Sequence, residues 1–545
     1  MHLRLSKILI LASIAHIQLS IAGSTAFNFQ KSTLYTGPVQ PGFGSGINAF
    51  DFDLDGDVDV FIPTAVGEPN QLLVNQGDGS FVESAIIHGL ADTRAARSAL
   101  WMDYEGDGDY DLLIARDCYQ SVCNPLESIL SLYENINGQY TEITNDVGLF
   151  VAVSTLNPMD NHLGGLSAGD LNNDGNPDIY VPIWQTSSLL YFSGDFSQAP
   201  LLNRGDIVSG YVNGSNSTGI GGDSGGHWQA LFHDFNDDQS LDLFVNVDFH
   251  ANQLWLNQGS SPYSNTAIVA GVNSDWNEMG IAAGDYDSDG DIDLFITNIY
   301  DWLPQLGDDR HNLLYRNDTI GSNVNFIDQA INLGVDDTGW GWGATWIDAE
   351  NDGDLDLAVT NGYCQPAYCG AVHEFDQSRL YLNPNNGSAF IDASTETGFN
   401  DTDLGSSLVK ADFNNDGLID LLQTTVSLNT VTSLKESKVV LFTNQSNINN
   451  AYLKIQLSGS NLAGTVLTLI HDNYQQAHLV TLGTSFLGQE PLQVQYGLGT
   501  NVNKPALKVE WPEGFSSYWG KNMLIGSALS PMIISKAQIF SHSFE

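Results

Sequence analysis

Basic residues are scarce in this chain of 545 residues, in which 18 Lys and Arg stand against 65 Asp and Glu and the formal net charge is -47. A surface this acidic repels polyanions, so the composition argues against binding of DNA, RNA or anionic membranes. Hydrophobic residues nevertheless make up 42% of the sequence, which is enough for a large folded core. We therefore predict a folded acidic protein that does not bind nucleic acids.

Long apolar runs are also missing, because after the N-terminus no segment approaches the roughly 18 apolar residues that a bilayer-spanning helix needs. At the N-terminus, Arg4 and Lys7 precede an apolar run over residues 8–21, and small residues follow as far as Ala26. A membrane anchor is the alternative, but the run is short and polar residues interrupt it. We predict a signal peptide over residues 1–26. The mature protein is then secreted, periplasmic or at the cell surface, with no membrane span.

Cysteine is rare, with four residues arranged as two pairs that each have four residues between them. Two local disulfides fit an oxidising compartment and agree with export. A zinc site built from all four cysteines is the alternative, although the two pairs lie far apart in the chain. The predicted disulfides join Cys118 to Cys123 and Cys364 to Cys369.

Familiar catalytic motifs are absent from the sequence. It contains no G-x-S-x-G, no H-E-x-x-H and no P-loop, and no nucleophile and base stand in a recognisable pair. This absence favours a binding protein over an enzyme.

Acidic loops are what the sequence has in abundance. The stretch "DFDLDGDVDVF" begins at Asp51, and its pattern, D-x-[DNE]-x-D-G-x-x-D followed by an apolar run, occurs seven times, once with Gln239 in place of the glycine. Carboxylates packed this closely repel one another unless a cation lies between them. The loops, numbered here 1 to 7, cover residues 51–59, 103–111, 170–178, 234–242, 285–293, 348–356 and 412–420.

Calcium is the cation that such loops suit, because it takes six to eight oxygen ligands and a glycine allows the sharp turn around it. The loops are not EF-hands, since position twelve is not acidic and strand-like sequence follows instead of a helix. We expect about one calcium per repeat, with weaker binding where Asn replaces a carboxylate in loops 3, 4 and 7, and with loop 4 in some doubt because Gln239 replaces its glycine. The predicted ligands are Asp51, Asp53, Asp55, Asp57, Asp59, Asp103, Glu105, Asp107, Asp109, Asp111, Asp170, Asn172, Asp174, Asn176, Asp178, Asp234, Asn236, Asp238, Asp242, Asp285, Asp287, Asp289, Asp291, Asp293, Asp348, Glu350, Asp352, Asp354, Asp356, Asp412, Asn414, Asp416 and Asp420.

The repeats are roughly 50 to 65 residues apart, which indicates a solenoid, a propeller or an array. Each period contains about four short β-rich runs, as the blade of a propeller does. We predict an all-β fold: a seven-bladed β-propeller over residues 27–446, followed by a small β-rich domain over residues 447–535. The segment 27–37 resembles a fourth strand and precedes the first blade, so we expect it to complete the last blade and close the ring.

The acidic units resemble the FG-GAP/VCBS repeats of integrin-α-like propellers. The later stretches "LGTSFLGQEPLQVQYGLG" and "ALKVEWPEG" are similar to the ASPIC/UnbV domain. Together they resemble the cartilage acidic protein family and its bacterial relatives. The resemblance covers roughly residues 30 to 530 and implies a calcium-binding, exported propeller.

A second candidate site lies on the face opposite the acidic loops. Several histidines and aromatic residues fall in connections that a propeller places there, on long loops held by a rigid scaffold. Three such groups converging at the mouth of the propeller are able to bind a transition metal or to act as acid and base. As the alternative, loop histidines are commonly only solvated or hydrogen-bonded. The candidate residues are His162, His227, His250, Glu278 and Trp340.

Two functions follow from these observations. The first is a non-enzymatic binding or adhesion scaffold with a glycan, protein or cell-surface ligand. The alternative is a metal-assisted or polysaccharide-acting enzyme with its site at the propeller mouth. Calcium-loop propellers occur in both classes, so the fold alone does not choose between them.

Overall fold

The computed structural model describes residues 27–39, 44–116, 127–150, 162–184, 189–193, 211–213, 220, 225–259, 263–299, 310–362, 376–384, 387–426, 437–472, 474–500, 505–520 and 532–536. Within these ranges the fold is all-β, as the sequence predicts. Strands dominate because the runs that follow each acidic loop are rich in β-branched and aromatic residues, which pack well on a pleated, buried surface. The predicted signal peptide over residues 1–26 and the four cysteines lie outside the described residues.

The first strand, β1 (Phe29–Gly37), pairs with a strand far away in the sequence, which is described with sheet 7 below. The next eight strands form two four-stranded antiparallel sheets. Sheet 1 contains β2 (Asn48–Phe50), β3 (Asp59–Ile62), β4 (Gln71–Asn75) and β5 (Phe81–Glu83), and sheet 2 contains β6 (Ser98–Met102), β7 (Asp111–Ala115), β8 (Leu130–Ile136) and β9 (Gln139–Glu142).

The strands of the third and fourth sheets interleave in the sequence. Two short strands belong to sheet 4 although they lie in the stretch of sequence that forms sheet 3. One, β10 (His162–Leu163), precedes sheet 3, and the other, β13 (Ile183–Trp184), lies between its second and third strands. They extend sheet 4 beside β16 (Gly226–His233), in the order β10-β13-β16. Sheet 3 contains β11 (Ser167–Gly169), β12 (Asp178–Val181), β14 (Leu189–Ser193) and β15 (Tyr211–Asn213), and sheet 4 contains β10 (His162–Leu163), β13 (Ile183–Trp184), β16 (Gly226–His233), β17 (Asp242–Asp248), β18 (Gln253–Leu256) and β19 (Ser264–Asn265).

Three further antiparallel sheets follow, each with four strands. The fourth strand of sheet 7 is β1, which pairs antiparallel with β30 from Phe29–Asn444 to Gly37–Ser437. Sheet 5 contains β20 (Ile281–Gly284), β21 (Asp293–Ile296), β22 (Leu313–Asn317) and β23 (Phe326–Asp328); sheet 6 contains β24 (Gly341–Ile347), β25 (Asp356–Asn361), β26 (Arg379–Leu382) and β27 (Ile391–Asp392); and sheet 7 contains β28 (Leu404–Ala411), β29 (Asp420–Val426), β30 (Ser437–Asn444) and β1.

One-turn helices follow the fourth strand in four of these sheets, where the sequence shows a recurring element such as "FVESAIIHGL". Each ends at a glycine with a left-handed backbone conformation. The helices are α1 (Ala85–His88), α2 (Ala267–Ala270), α3 (Ala330–Leu333) and α4 (Ser394–Thr397).

The remaining strands form two sheets near the C-terminus, called the tail domain below. In the first, β31 pairs antiparallel with β34 and parallel with β37. The second has the order β33-β32-β35-β36. The strands are β31 (Ala451–Ser458), β32 (Val466–Ile470), β33 (Gln475–Leu479), β34 (Gln493–Gly499), β35 (Ala506–Glu510), β36 (Ser516–Trp519) and β37 (Met532–Ser535).

The tail domain shares its core with the repeat sheets. One continuous apolar cluster joins residues of sheets 1 to 3, such as Trp101, to tail residues such as Ile455 and Trp511. Because this apolar surface is removed from water only when the two parts are in contact, their association is favourable by the hydrophobic effect. The tail and the repeats are therefore one packed structure.

The connection after β33, residues 480–489, enters the space between the first strands of the sheets. Ala168 of sheet 3 donates its N–H to the Leu482 carbonyl at 3.1 Å, and Ile281 of sheet 5 exchanges two backbone hydrogen bonds with Ser485 at 2.8 and 2.9 Å. β33 begins beside loop 5, at one end of β20, and Ile281 is at the other end of β20. The chain from β33 to the residue that bonds Ile281 therefore runs the length of β20.

Gln489 ends the same segment and holds sheets 1 and 2. Its side-chain oxygen accepts from the Trp101 N–H at 2.7 Å, and its side-chain nitrogen donates to the Trp101 carbonyl at 2.9 Å. Its backbone carbonyl accepts from the N–H of Ala49 at 3.0 Å. Glycines line the path, and a Cβ added at Gly46 would lie 2.0 Å from the carbonyl oxygen of Leu487.

Candidate metal centre

Each acidic loop joins the first two strands of its sheet, and its first aspartate organises the turn. In loop 5, Asp285 Oδ1 accepts from the N–H of Asp289 and Asp285 Oδ2 accepts from the N–H of Gly290, both at 3.1 Å. The equivalent bonds to the residue five positions on occur in all seven loops, at Asp51, Asp103, Asp170, Asp234, Asp285, Asp348 and Asp412.

The last aspartate of six of the loops is fixed by a residue that the sequence analysis did not single out. In loop 1, Asp59 Oδ1 accepts from the backbone N–H of Asn75 at 2.8 Å, and the Asn75 side chain donates to the carbonyls of Val58 and Phe413. The signal was present in the sequence, because an asparagine stands at the end of six third strands or one residue from it. These residues are Asn75, Asn135, Asn257, Asn317, Asn383 and Asn444, and each donates its N–H to the last aspartate of its loop.

Three of the loops bring at least three carboxylates within metal-binding distance. In each group the ligand oxygens lie within 4.8 Å of one another. Groups of oxygen ligands at this spacing suit a hard cation such as calcium. Among the described residues, the groups are Asp51, Asp53 and Asp59 in loop 1; Asp103, Glu105 and Asp111 in loop 2; and Asp285, Asp287 and Asp289 in loop 5.

The electrostatics of these groups favour a bound cation. Burial raises the pKa of Asp51 to about 7 and that of Asp59 to about 8, and the neighbouring carboxylates add to the rise. In loop 5, burial raises the pKa of Asp285 to about 8, and Asp289 and Asp287 contribute. A divalent cation reverses this effect, because an opposite charge stabilises the ionised form.

Loop 4 forms although it lacks the usual glycine. Gln239 takes the left-handed conformation with φ 71°, and its N–H still donates to Asp234 Oδ2 at 2.7 Å. The corresponding Gly290 of loop 5 has φ 101°. A residue with a Cβ is strained in this region of φ, so the departure in sequence has a cost in backbone energy but leaves the loop geometry intact.

The tail domain contacts several of the acidic loops, which the sequence analysis did not foresee. It donates a further hydrogen bond to the first aspartate of four loops, always at Oδ2. The donors are Asn461 Nδ2 to Asp170 at 2.9 Å, the Ala477 N–H to Asp285 at 2.9 Å, the Gly497 N–H to Asp348 at 3.0 Å and Lys454 Nζ to Asp412 at 2.7 Å.

The residues of the second candidate site are at the other end of the sheets and differ in their surroundings. His227 is fully buried, and a hydrogen bond of 2.7 Å joins its Nδ1 to the hydroxyl of Tyr180. His250 is exposed, and His162 is paired through β10 with Trp184. Trp340 is buried, and its backbone N–H donates to Asp376 at 2.9 Å.

Glu278, the remaining candidate, is fully buried, and its Oε2 has no hydrogen-bond partner among the described residues. Burial raises its pKa to about 8, and the nearby carboxylate of Asp248 adds to the rise. Asp248 is itself held by Asn277 Nδ2 at 2.7 Å and Trp184 Nε1 at 3.1 Å. In the part of the chain that the structure describes, the groups of ligands with metal-binding spacing do not include the histidines or Glu278.

A large cavity lies between the repeats and the tail domain. Its volume is about 460 Å³, and it lies between loops 4 and 5 on one side and the tail on the other. Its lining includes Asp237, Asp291, Lys508 and Phe515. Lys508 is paired with Glu510 at 2.7 Å.

No described helix is long and apolar enough to cross a membrane.

Comparison with known proteins gives two family matches. The model described as FG-GAP-like repeat matches residues 51–114 and 234–296, which contain loops 1, 2, 4 and 5. The model described as ASPIC and UnbV matches residues 458–523 in the tail domain. None of the curated proteins compared with the chain matches it.

Solved structures with similar chains show low identity and low TM-scores. The WD40 domain of Toxoplasma gondii coronin is 10% identical, with 77% of this chain and 88% of that chain covered and a TM-score of 0.37. BBS1N in complex with ARL6DN is 10% identical, covering 76% and 98%, with a TM-score of 0.37. Trypanosoma rangeli sialidase is 9% identical, covering 70% and 59%, with a TM-score of 0.32. Likenesses this weak imply nothing about ligand or activity. The two family matches, in contrast, agree with the sequence motifs: the chain carries FG-GAP-like repeats in an all-β, propeller-like fold, followed by an ASPIC/UnbV domain.

Proposed function

We propose that this protein is an exported, calcium-binding, seven-bladed β-propeller that acts as a non-enzymatic binding or adhesion scaffold. One observation carries the proposal. In loops 1, 2 and 5 the carboxylate oxygens converge within 4.8 Å of one another, and burial and mutual repulsion raise the pKa of Asp51 and Asp285. Such a group gains most from a cation. Calcium fits because all the ligands are oxygens.

Closure of the ring is supported by contacts between sheets 1 and 7. Asn75 of sheet 1 donates its side-chain N–H to the Phe413 carbonyl at 2.8 Å, and Asn415 donates to Asp57 Oδ1 at 2.7 Å. In addition, β1 supplies the outer strand of sheet 7. The same asparagine bridge joins sheet 4 to sheet 3, sheet 6 to sheet 5 and sheet 7 to sheet 6, through Asn257, Asn383 and Asn444.

A structural role for calcium, rather than a catalytic one, is supported by the position of the loops. Six of the loops are hydrogen-bonded to the third strand of their sheet or the residue next to it, and the first aspartates of loops 3, 5, 6 and 7 are also hydrogen-bonded to the tail domain. A cation bound there stabilises the folded state by mass action, because the unfolded chain has no equivalent site. The ligand of the scaffold is then a glycan, a protein or a cell-surface group. Export through the predicted signal peptide, and the disulfides of the two cysteine pairs, belong to this proposal.

Calcium content and its effect on stability test the proposal directly. The mature protein is dialysed against calcium, its bound calcium is measured by mass spectrometry, and thermal unfolding is recorded with and without a chelator. We expect several calcium ions per chain and a melting temperature that falls on chelation. An unchanged melting curve together with no bound calcium would reject the calcium role.

Two variants distinguish calcium binding at a specific loop from diffuse calcium binding to an acidic surface. Asp287→Asn removes one carboxylate from loop 5, and we expect it to weaken calcium binding there, so that at limiting calcium the content falls by up to one ion and the chelator has less effect. Glu396→Gln removes one exposed negative charge outside the loops. It should leave the calcium content unchanged, and an equal loss in both variants would indicate diffuse binding to an acidic surface.

A second function is favoured by the buried pair of Glu278 and Asp248. With a pKa raised to about 8 by burial, Glu278 is protonated at neutral pH and is able to donate a proton. This property suits an enzyme acting on a polysaccharide, with its site at the end of the sheets opposite the acidic loops. A metal-assisted version uses His227 as a further group.

The enzymatic alternative is tested by incubating the protein with a panel of soluble polysaccharides and measuring new reducing ends. Release by the natural protein that falls at least about 100-fold in Glu278→Gln would favour the enzyme. If no polysaccharide gave new reducing ends, the enzymatic alternative would be rejected and the scaffold function would stand. For the metal version, one equivalent of zinc, copper or iron that is lost in His227→Ala is the expected result.

A further inference from the structure

Loop 7 differs from the other loops in the kind of donor that the tail domain presents to it. Asp170, Asp285 and Asp348 each receive a neutral N–H from the tail. Asp412 instead receives the ammonium group of Lys454, with Nζ 2.7 Å from Oδ2. Loop 7 therefore already has a positive charge at its first carboxylate.

The ion pair is largely shielded from solvent. The side chain of Asp412 is 1% exposed and that of Lys454 is 10% exposed. Burial raises the pKa of Asp416 in the same loop, and the charge of Lys454 acts in the opposite direction, so the ammonium group also influences a second carboxylate. An ion pair with so little exposure differs from a surface ion pair, which contributes little.

The composition of loop 7 matches this arrangement. Loops 1, 2, 5 and 6 each have five acidic residues at alternate positions. Loop 7 has three, Asp412, Asp416 and Asp420, because Asn414 and Leu418 occupy the other two alternate positions. Loops 3 and 4 also have three at these positions, but the tail donor of loop 3 is the neutral amide of Asn461. Loop 7, which receives the lysine, thus needs less positive charge to balance its carboxylates than loops 1, 2, 5 and 6 do.

The tail strand that carries Lys454 also closes over the loop. A Cβ added at Gly417 would lie 2.2 Å from a ring carbon of Tyr452, which is two residues before Lys454 on β31. The Gly417 carbonyl accepts from Gln495 Nε2 at 2.9 Å and from Asn351 Nδ2 at 2.7 Å. The turn of loop 7 at Gly417 is therefore covered by the tail side chains Tyr452 and Gln495.

We propose that the ammonium group of Lys454 is the resident cation of loop 7, so that this loop binds no calcium and joins the tail domain to the repeats independently of calcium. A calcium ion held by Asp412 would lie about 2.3 to 2.6 Å from a carboxylate oxygen. It would then be within a few ångströms of Nζ in a buried place, where two positive charges repel strongly. This inference rests on the proposed function, because it takes calcium to be the cation of the other loops.

The test compares calcium content in variants of loop 7. In the otherwise natural chain, Asp416→Asn should leave the calcium content unchanged, whereas a loss of one calcium per chain would overturn the proposal. Lys454→Met keeps the apolar stem and removes the charge, and we expect it to gain one calcium per chain. That gain should disappear in the double variant Lys454→Met with Asp416→Asn. No gain in Lys454→Met would count against the proposal.

Stability in a chelator provides a second readout that does not depend on calcium in the other loops. The matched control is Lys508→Met, which removes a lysine of the tail domain that is paired with Glu510. In chelator, Lys454→Met should have a melting temperature well below that of Lys508→Met, because loop 7 has lost its cation. Equal melting temperatures would overturn the resident-cation role. If the natural protein bound no calcium in any loop, the proposed function would fail, and this comparison would still decide the role of Lys454.

Discussion

The ring of Phe486 packs edge-on against the indole of Trp342, with ring centroids 4.7 Å apart and planes at 72°. Trp228 contacts the same ring, with centroids 5.4 Å apart. Phe486 belongs to the tail domain, whereas the two tryptophans belong to sheets 6 and 4. A single tail residue therefore fills a space between sheets that are far apart in the sequence.

Replacing Phe486 by Ala should destabilise the whole protein. The side chain is fully buried, and its loss leaves a cavity between sheets 4 and 6, so we expect a decrease of about 3 to 5 kcal/mol in the free energy of unfolding. Urea unfolding monitored by tryptophan fluorescence measures this. Phe249→Ala is the control, because Phe249 is 61% exposed and its removal should change the stability little. Equal effects of the two substitutions would contradict the packing role of Phe486.

Gln489 should matter through its hydrogen bonds. Its side chain bonds both backbone groups of Trp101 and accepts from Asn48 Nδ2 at 3.2 Å, all in buried surroundings. Gln489→Leu leaves these partners unsatisfied, and we expect a loss of about 2 to 5 kcal/mol in unfolding free energy. Gln76→Leu, at an exposed position, is the matched control. Chemical denaturation of both variants gives the comparison, and a loss below about 1 kcal/mol for Gln489→Leu would show that water replaces these bonds.

Calcium affinity should rise with pH between about 5 and 8. In the folded chain without metal, burial raises the pKa of Asp51 to about 7 and of Asp59 to about 8, above the ordinary value of 3.8. These carboxyls keep protons that calcium must displace, so binding releases protons and weakens as pH falls.

The same shifts set the stability of the calcium-free protein. The folded state binds more protons than the unfolded state between about pH 4 and 8, so the free energy of unfolding falls as pH rises through this range. Calcium should remove this decrease. Isothermal titration at several pH values, with thermal unfolding in chelator, checks both statements, and an affinity that does not depend on pH would contradict them.

Gln239→Gly should improve loop 4. The position has φ 71°, and glycine adopts this conformation without a Cβ clash, so we expect about 1 kcal/mol of added stability and tighter calcium binding. The reverse change in loop 5, Gly290→Gln at φ 101°, should destabilise by a similar amount or more. Thermal unfolding in saturating calcium compares the pair. The Gln239 side chain packs against Gly514 of the tail domain, where a Cβ added to the glycine would lie 2.6 Å from Gln239 Oε1. A destabilised Gln239→Gly would mean that this packing outweighs the backbone strain.

Asn75→Ala should weaken the junction between sheets 1 and 7. The Asn75 side chain donates to the Val58 carbonyl at 3.0 Å and to the Phe413 carbonyl at 2.8 Å, and its own residue is buried. Loss of both bonds should lower the unfolding free energy by about 1 to 3 kcal/mol. The exposed Asn332 provides the control substitution. Hydrogen exchange of the β1 and β2 amides measures where the structure opens, and faster exchange confined to other sheets would argue against the junction.

Much of the repeat structure could be predicted because it is local. The D-x-[DNE]-x-D-G-x-x-D pattern places oxygens on alternate residues and a turn between two apolar strands, so the loop between β20 and β21 is readable from Asp285 to Asp293. The asparagine at or next to the end of six third strands was also readable, since "LLVN", "LYEN" and "LYRN" repeat in register. The role of this asparagine could not be predicted, because the hydrogen bond from Asn75 to Asp59 joins residues on two different strands.

The sequence by itself determined the all-β class, the acidic loops and the FG-GAP-like and ASPIC/UnbV motifs, because each depends on residues close together in the chain. The tertiary structure alone decided that the tail domain lies on the acidic loops, that Phe486 enters the space between the sheets and that Lys454 is paired with Asp412. These contacts join residues separated by up to hundreds of positions. They depend on which surfaces become buried together, and neither spacing nor composition encodes that.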